Sequence, residues 1–348
     1  TKWVWSLDFS SDGKTLASSS EDGTLYLWDI SNYKQKKVLE DFKRQRGHER
    51  RIWSIAFSPD GKRLASSGDD HTVGLWNMSN FERIHTFKTH PTGIMSVAIS
   101  ANKRLMASGD VGGVLRLWDG RSGKCLKELQ GHENRIWSVD FSSNGHVIAS
   151  GSEDSTVRLW DLRSGHHIST IRAHYGPLWS VAFSPDGKLL ASGGVEPIIR
   201  LWDMNNPHNP QLRKSLKQHQ NWIWSVAFAP DGKSLASGGE DGTLLLWDWE
   251  KEEGLTILWT HEGGIRAVSF SPNGQLLASG SDDGKVRLWN RNNYQCLKVF
   301  PSCASRIQSV KFSFDGKTLA SSSEDGKIRL WDLTSFKCLR VLDEHDGP

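Results

Sequence analysis

The chain has 348 residues, and its 43 basic and 40 acidic side chains leave a formal net charge of only +3 at pH 7. This balance argues against nucleic acid or a membrane surface as the main partner. No apolar run reaches the roughly 18 residues of a membrane-spanning helix. No signal peptide precedes the first strand-like residues, so a cytoplasmic protein is predicted.

The four cysteines predict free thiols in a reducing compartment. Cys125, Cys296 and Cys338 each follow a Trp by seven residues, in three different repeats. Equivalent positions in separate repeats lie too far apart to form a disulfide. No Cys-x-x-Cys pair, phosphate-binding loop or His-Glu-x-x-His motif is present, so neither a metal nor a cofactor is predicted.

A repeat with a period in the low forties runs through the whole chain. Trp followed by Asp or Asn recurs at Trp28, Trp76, Trp118, Trp160, Trp202, Trp247, Trp289 and Trp331. A period of this length that ends in Trp-Asp indicates an array of short β units. The fold class predicted is all-β.

The fourth unit shows the predicted elements in order. Its strands are Ile136 to Phe141, Val147 to Gly151, Thr156 to Leu162 and His167 to Ile171. These segments are rich in alternating and β-branched residues, and none has a helical period. Asn-Gly or Asp-Gly joins the first two strands in seven units, as a tight hairpin requires. The third unit departs, with Asn102-Lys103.

One domain of eight units is predicted, with approximate bounds 1–46, 47–88, 89–130, 131–172, 173–217, 218–259, 260–301 and 302–348. Six extra residues between Trp28 and Trp76 include a basic stretch around Lys43, and three more separate Trp202 from Trp247. Both insertions fall near a fourth strand, which should be outermost. They are therefore predicted to be surface elaborations.

A set of polar residues recurs at fixed distances before the Trp. His stands 28 before it in six units, Ser ten before it in all eight, and Asp six before it in six. Buried polar groups must be paired, so each set is predicted to close its own hydrogen-bond chain. Four complete sets are His48, Ser66, Asp70, Trp76; His132, Ser150, Asp154, Trp160; His219, Ser237, Asp241, Trp247; and His261, Ser279, Asp283, Trp289.

These motifs resemble the WD-repeat β-propeller family over the whole chain. The resemblance rests on Gly-His as at Gly131-His132, on the Ser-Pro-Asp-Gly turn and on Trp-Asp. It implies a closed propeller of eight blades with four antiparallel strands each, in which His, Ser, Asp and Trp form a structural tetrad. The run from Leu178 to Phe183 is also similar to bacterial WD-repeat modules attached to signalling ATPases or kinases. Gly112, Glu196 and Cys303 depart from the tetrad, so weaker networks are expected in blades 3, 5 and 8.

His, Ser and Asp in proximity also suggest a hydrolase. Catalysis needs one nucleophile beside one base in a cleft, with an oxyanion site. Here the constellation recurs in most units, and its Ser lies inside an apolar strand. A structural role is therefore predicted, with no catalytic residue and no enzymatic activity.

A second series of residues enters the innermost strands from the edge at which the tetrad loops meet. Its members are Trp or Arg, with one Met: Trp3, Trp5, Arg51, Trp53, Met95, Arg135, Trp137, Trp179, Trp222, Trp224, Arg266 and Arg306. The residue before the tetrad Asp slot is acidic at Glu21, Asp69, Glu153, Glu240, Asp282 and Glu324. We call this combined set the rim. Trp and Arg are enriched in interface hot spots, and the same face of related propellers commonly binds partners. Alternatively, these Trp residues only fill gaps between blades, and the charges form surface ion pairs of little energetic value.

The function predicted is a monomeric, non-catalytic protein-interaction module, either a constitutive scaffold or a sensor domain of a larger signalling protein. The alternatives are an enzyme with its site in the channel mouth and a nucleic-acid-binding propeller. The protein partner is not identified by the sequence.

The ends of the chain predict how the ring closes. The chain begins at a first strand and ends after a fourth, so the first unit lacks its own tetrad His. His345 stands 14 residues after Trp331, the step that also separates Trp160 from His174. His345 is therefore predicted to cross the seam and complete the tetrad of the first blade.

Overall fold

The computed structural model describes residues 2–32, 34–40, 48, 50–88, 90–100, 102, 104–249, 251, 255–301, 305–343 and 345. Within these ranges the chain forms eight antiparallel sheets of four strands each. Each sheet consists of four strands that are consecutive in sequence, and these sheets are the blades. Two features of the sequence lie outside the described residues: Cys303, and the basic residues Lys43, Arg44 and Arg46.

The strands follow one another in the same order in every blade. Blades 1 to 4 contain β1 (Val4–Phe9), β2 (Thr15–Ser20), β3 (Leu25–Asp29), β4 (Lys34–Glu40), β5 (Ile52–Phe57), β6 (Arg63–Gly68), β7 (Val73–Asn77), β8 (Glu82–Phe87), β9 (Ile94–Ile99), β10 (Leu105–Asp110), β11 (Leu115–Asp119), β12 (Cys125–Leu129), β13 (Ile136–Phe141), β14 (Val147–Ser152), β15 (Val157–Asp161) and β16 (His167–Ile171). Blades 5 to 8 contain β17 (Leu178–Phe183), β18 (Leu189–Gly194), β19 (Ile198–Asp203), β20 (Gln211–Lys217), β21 (Ile223–Phe228), β22 (Leu235–Gly239), β23 (Thr243–Trp247), β24 (Leu255–Thr260), β25 (Ile265–Phe270), β26 (Leu276–Ser281), β27 (Val286–Asn290), β28 (Cys296–Phe300), β29 (Ile307–Phe312), β30 (Thr318–Ser323), β31 (Ile328–Asp332) and β32 (Cys338–Leu342).

The hairpin turns between the first two strands have a common local cause. In blade 4, Gly145 has φ +70°, a left-handed conformation that glycine adopts without steric cost. The hydroxyl of Ser142 accepts a hydrogen bond from the Val147 N–H at 2.9 Å and so fixes the start of β14. The predicted Asn-Gly and Asp-Gly hairpins therefore form as the turn residues require.

The hydrophobic core lies between adjacent blades rather than inside any one of them. One cluster joins Leu115 and Leu129 of blade 3 to Ile136, Phe141 and Trp160 of blade 4, all of them buried. Because each sheet face is covered by its neighbour, an isolated blade would leave its apolar face in water. The predicted closed eight-bladed propeller is confirmed: β1 packs beside β29, and Val4 and Trp28 share a core cluster with Ile328 and Leu342.

Side chains on the innermost strands also tie each blade to the next. The Val181 N–H donates to the Ser138 hydroxyl at 3.2 Å, and the Phe183 N–H donates to the Asp140 carboxylate at 2.8 Å. Asp8 accepts the Phe57 N–H at 2.7 Å in the same way. These bonds hold the inner strands in register around the channel, which positions the residues at both of its mouths.

Candidate functional site

The polar tetrad of blade 4 is a closed hydrogen-bond chain. The Trp160 indole N–H donates to the Ser150 hydroxyl at 2.9 Å, Ser150 meets His132 Nε2 at 2.8 Å, and His132 Nδ1 meets Asp154 at 2.7 Å. Blades 2, 6 and 7 contain the same chain in their own residues. Ser150 is fully buried, so its hydroxyl is sealed from any substrate. This arrangement suits a structural role rather than hydrolysis.

In each blade the tetrad acid also contacts one of two kinds of helper residue. In blades 1, 2, 4 and 6 a Thr two residues after the acid slot hydrogen-bonds both partners: Thr24, Thr72, Thr156 and Thr243. In blades 3, 5, 7 and 8 an Arg four residues after that slot reaches the acid: Arg116, Arg200, Arg287 and Arg329. In blades 3, 5 and 7 this Arg also lies against the His ring.

The expected weak network of blade 3 is wrong. Gly112 occupies the acid slot, but Asp110 at the end of β10 reaches His90 Nδ1 at 2.8 Å. Arg116 approaches the same pair, and its second nitrogen donates to Glu128 at 2.6 Å. A carboxylate two residues earlier in the chain therefore replaces the missing Asp, because the strand end faces the same His.

The expected weakness of blade 5 is also wrong. The longer Glu196 spans the gap to His174 Nδ1 at 2.9 Å and receives Arg200 at 2.6 Å. In blade 8, Asp325 accepts from Arg329 at 2.8 Å and from Ser323, while the position that would supply its His lies outside the described residues.

Burial and the helper residues shift the pKa of several tetrad groups. Burial, together with the neighbouring Arg200 charge, lowers the pKa of His174 to about 4. Burial also lowers the pKa of His90 and His261, and their adjacent arginines act in the same direction. In the threonine blade 4, burial opposes ionisation of Asp154, yet hydrogen bonds from His132 and Thr156 hold its pKa well below the ordinary value. Asp154 is thus charged at neutral pH, as an acceptor of hydrogen bonds should be.

His345 occupies the missing His position of the first blade. Its Nε2 lies 2.8 Å from the Ser18 hydroxyl, its Nδ1 lies 3.0 Å from the Thr24 hydroxyl, and the ring is fully buried. The Asp22 carboxylate is 3.6 Å from Nδ1, and the Tyr26 ring packs edge-on at 4.5 Å. The prediction that this residue crosses the seam is confirmed.

In blades 2, 6, 7 and 8 a residue of the innermost strand is paired with the acid that stands 16 positions later. The Trp53 indole donates to Asp69 at 2.6 Å, and the Trp224 indole donates to Glu240 at 2.6 Å. In blade 7 the guanidinium of Arg266 takes the place of the indole and donates to Asp282 through two nitrogens. In blade 8, Gln308 donates to Glu324 at 2.9 Å.

In blades 1 and 4 the rim acid pairs with an arginine instead. Arg51 pairs with Glu21 of the neighbouring blade at 2.8 Å, and Arg135 lies 3.7 Å from Glu153. The indole nitrogens of Trp5 and Trp137 are buried there without a hydrogen-bond partner among the described residues. The remaining basic member, Arg306, lies 3.8 Å from both Asp282 and Glu324.

Apart from Trp137, the rim aromatics form two groups on opposite parts of the ring. Trp3, Trp5 and Trp53 contact one another in blades 1 and 2, with centroid distances of 5.1 Å and 4.7 Å. In blades 5 and 6 the Trp179 and Trp224 rings stack in parallel at 4.1 Å.

A third ring completes the second group. Trp222 meets Trp179 edge-on at 5.3 Å, and Arg266 caps the other end of the stack, 4.0 Å from the Trp224 centroid. Trp222 is 41% exposed, whereas Met95 of blade 3 is buried and adds no surface to the rim. We call Trp179, Trp222 and Trp224 the aromatic cluster.

The comparisons with known proteins agree with this geometry. The family described as "WD domain, G-beta repeat" matches residues 1–29, 39–77, 81–119 and 123–161. The family described as "Echinoderm microtubule-associated protein second beta-propeller" matches residues 178–345. The chain belongs to the WD-repeat β-propeller family. No curated protein sequence matches it closely enough to count as a relative.

Among solved structures, this WD-repeat propeller is similar to the crystal structure of the computationally designed Ika8 protein. The two superpose with a TM-score of 0.81 at 24% sequence identity, over 95% of this chain and 96% of that one. Identity this low shows a shared fold only. WD-repeat propellers are typically scaffolds for protein interaction and typically lack enzymatic activity.

The described residues of this WD-repeat propeller form neither a metal site nor a membrane-spanning helix. Among the described residues, no group of three His, Cys, Asp or Glu side chains could hold a metal ion. The same part of the chain contains no helix long and apolar enough to cross a membrane.

Sequence reasoning missed the helper residues. The alternation of Thr and Arg was visible two and four positions after the acid slot, but only the contacts show that they perform the same task. It also missed a cleft of about 700 Å³ between blades 4 and 5, whose wall includes Arg158, Arg172 and Tyr175.

Proposed function

We propose that this propeller is a non-catalytic interaction module and that its rim, centred on the aromatic cluster, binds a protein partner. The observation that carries this proposal is Trp222, whose indole is 41% exposed beside two half-buried Trp rings. A large aromatic ring that is held rigidly yet open to solvent loses little entropy on binding. Trp and Arg at the centre of an interface contribute most of the affinity.

The surroundings of the cluster support an interface with both apolar and charged character. Arg266 is held over Trp224 and against Asp282, so its guanidinium is already oriented when a partner arrives. Arg306 is half-exposed nearby and makes only long contacts to its two acids. Such pre-organised groups favour affinity because their ordering cost has been met on folding.

The competing explanation is that the Trp residues only join blades. The parallel stack of Trp179 on Trp224 bridges blades 5 and 6 and fits that explanation well. Trp222 differs because a substantial part of its surface faces solvent. It is therefore the residue at which packing and partner binding make opposite predictions.

The test replaces Trp222 by Ala and compares it with Phe314→Ala. Phe314 is 63% exposed on the turn between β29 and β30, at the opposite mouth of the channel. A partner captured by the wild-type disc is purified, and its dissociation constant is then measured against each variant. Loss of a hot-spot Trp should cost about 2 kcal/mol or more, roughly thirtyfold in affinity. Phe314→Ala should bind like the wild type.

Equal binding by Trp222→Ala and the wild type would refute the proposal. A Trp222→Ala protein that melts well below the wild type would support the packing explanation instead.

The role within that class is either a constitutive scaffold or a sensor that restrains an attached effector. We favour a cytoplasmic location because Cys125, Cys296 and Cys338 are free and exposed. An enzymatic site in the channel mouth is not favoured, since the rim carboxylates named above are engaged by Trp, Arg or Gln side chains. The gene sequence that encodes the neighbouring region would separate scaffold from sensor by the presence of an ATPase or kinase domain.

A further inference from the structure

Blade 4 contains both helper residues where one is sufficient. Thr156 hydrogen-bonds His132 and Asp154, as the threonine does in blades 1, 2 and 6. In those three blades the position four after the acid is Tyr26, Gly74 or Leu245, none of which can take the arginine's role. Blade 4 has Arg158 at that position, in addition to its threonine.

Arg158 is consequently left over. Its equivalents Arg116, Arg200, Arg287 and Arg329 bond the acid of their own blades. The Arg158 side chain makes no hydrogen bond or ion pair with any described residue, and its Nε, like that of Arg116, is buried without an acceptor. Arg158 differs from Arg116 because its guanidinium lines an open cleft with no acidic partner, which favours a bound anion there.

The space beside Arg158 is the cleft of about 700 Å³ between blades 4 and 5. Arg172 lies in the same wall, and its side chain makes no hydrogen bond or ion pair with any described residue. Thr170 supplies a hydroxyl, while Tyr175 (95% exposed) and Leu212 (50% exposed) supply an apolar border. A volume of this size accommodates a small organic group rather than a single ion.

Two other charged side chains of the cleft, Arg200 and Asp154, are already paired, whereas Arg158 and Arg172 are not. Arg200 is engaged by Glu196, and Asp154 is engaged by His132 and Thr156. Glu133 also borders the cleft and reduces its positive potential.

We propose that this cleft binds a phosphate monoester. The phosphoryl oxygens lie against Arg158 and Arg172, and the apolar or aromatic group that carries them lies against Tyr175 and Leu212. Two forked guanidinium groups match the geometry of a phosphoryl dianion. The site lies on the outer strands of the propeller and is separate from the aromatic cluster of the rim.

The direct test is a calorimetric or NMR titration with phenyl phosphate at low ionic strength. Wild type should bind it saturably and more tightly than inorganic phosphate, because only the ester contacts the apolar border. Arg158→Gln should weaken phenyl phosphate at least tenfold. Arg163→Gln, which removes one positive charge from the exposed turn after β15, should bind like the wild type.

A phosphotyrosine peptide and free phenyl phosphate distinguish the two possible sources of the ligand. Tighter binding of the peptide would indicate a phosphorylated protein, and equal or weaker binding would indicate a small metabolite. Trp222→Ala should bind phenyl phosphate unchanged, so failure of the rim proposal would not affect this one. Absence of saturable binding, or equal losses in Arg158→Gln and Arg163→Gln, would overturn the proposal.

Blade 4 has two helper residues, Thr156 and Arg158, so the thermal stability of variants at these positions gives a second test. Thr156→Val should lower the melting temperature less than Thr243→Val in blade 6, because Arg158 can take over the acid while Leu245 cannot. Arg158→Gln alone should melt like the wild type, whereas Arg200→Gln should melt lower. A large destabilisation by Arg158→Gln would show that this arginine is structural and would contradict a binding role.

Discussion

Replacement of His345 by Ala tests how the ring is closed. The side chain is fully buried and meets Ser18 at 2.8 Å and Thr24 at 3.0 Å. Two lost hydrogen bonds cost about 1 kcal/mol each. The cavity left against Tyr26 adds roughly 1–2 kcal/mol, since a closely packed site collapses only in part. The free energy of unfolding should therefore fall by about 3 kcal/mol, a large share of a total of about 5–15 kcal/mol.

The same substitution at His132 is the matched control. His132 makes equivalent contacts to Ser150 and Asp154, but both neighbours of its blade are joined to it through the chain. Both variants should lose similar stability in chemical denaturation. Only His345→Ala should raise amide hydrogen exchange first in β1 to β3, because His345 reaches blade 1 from the opposite end of the chain and its hydrogen bonds cross the seam.

A loss below about 0.5 kcal/mol in His345→Ala would mean that blade packing alone holds the seam, since even one buried hydrogen bond is worth more. Unchanged exchange in β1 to β3, with a normal loss of stability, would refute the idea that the ring opens there.

Two further predictions concern stability. Trp118→Ala and Trp160→Ala should each lower the free energy of unfolding by about 3–5 kcal/mol. The two losses should be equal because Asp110 completes the network of blade 3. A clearly smaller loss for Trp118→Ala in a denaturant titration would contradict this. Burial raises the pKa of Asp140 to about 6 against the backbone N–H groups of Phe183 and Phe141, so the stability that its protonated form supports is complete at low pH and is lost as pH rises through about 6. The advantage of Asp140→Asn over the wild type should therefore grow between pH 3.8 and about 6 and stay at about 1–3 kcal/mol above that, and parallel stability profiles for the two proteins would count against it.

The sequence by itself determined the repeat, the strands and the internal tetrads, and the reason is local. Ser150 and Trp160 lie on paired strands of one hairpin, in which Ile148 is opposite Trp160 and Ser150 is opposite Arg158. Their separation of ten residues is therefore set by the hairpin length. The seam was equally predictable, because His345 keeps the same step from Trp331 that other blades show.

The tertiary structure decided which partner each polar group takes when several compete for it. Asp69 accepts the Trp53 indole, yet Glu21 and Glu153 lie against arginines and leave the Trp5 and Trp137 indoles without a described acceptor. These outcomes depend on which side chain lies nearer to each acid in the folded ring, which no spacing along one repeat encodes.

The folded blades also explain the two errors in the tetrad prediction, in blades 3 and 5. A fixed slot identifies where an acid is expected, but Asp110 reaches His90 from outside that slot. Arg158 stands at the sequence position of the arginine helpers, but Thr156 already hydrogen-bonds both His132 and Asp154. Repetition in sequence predicts which contacts a blade can make, while the folded blade determines which side chain makes them.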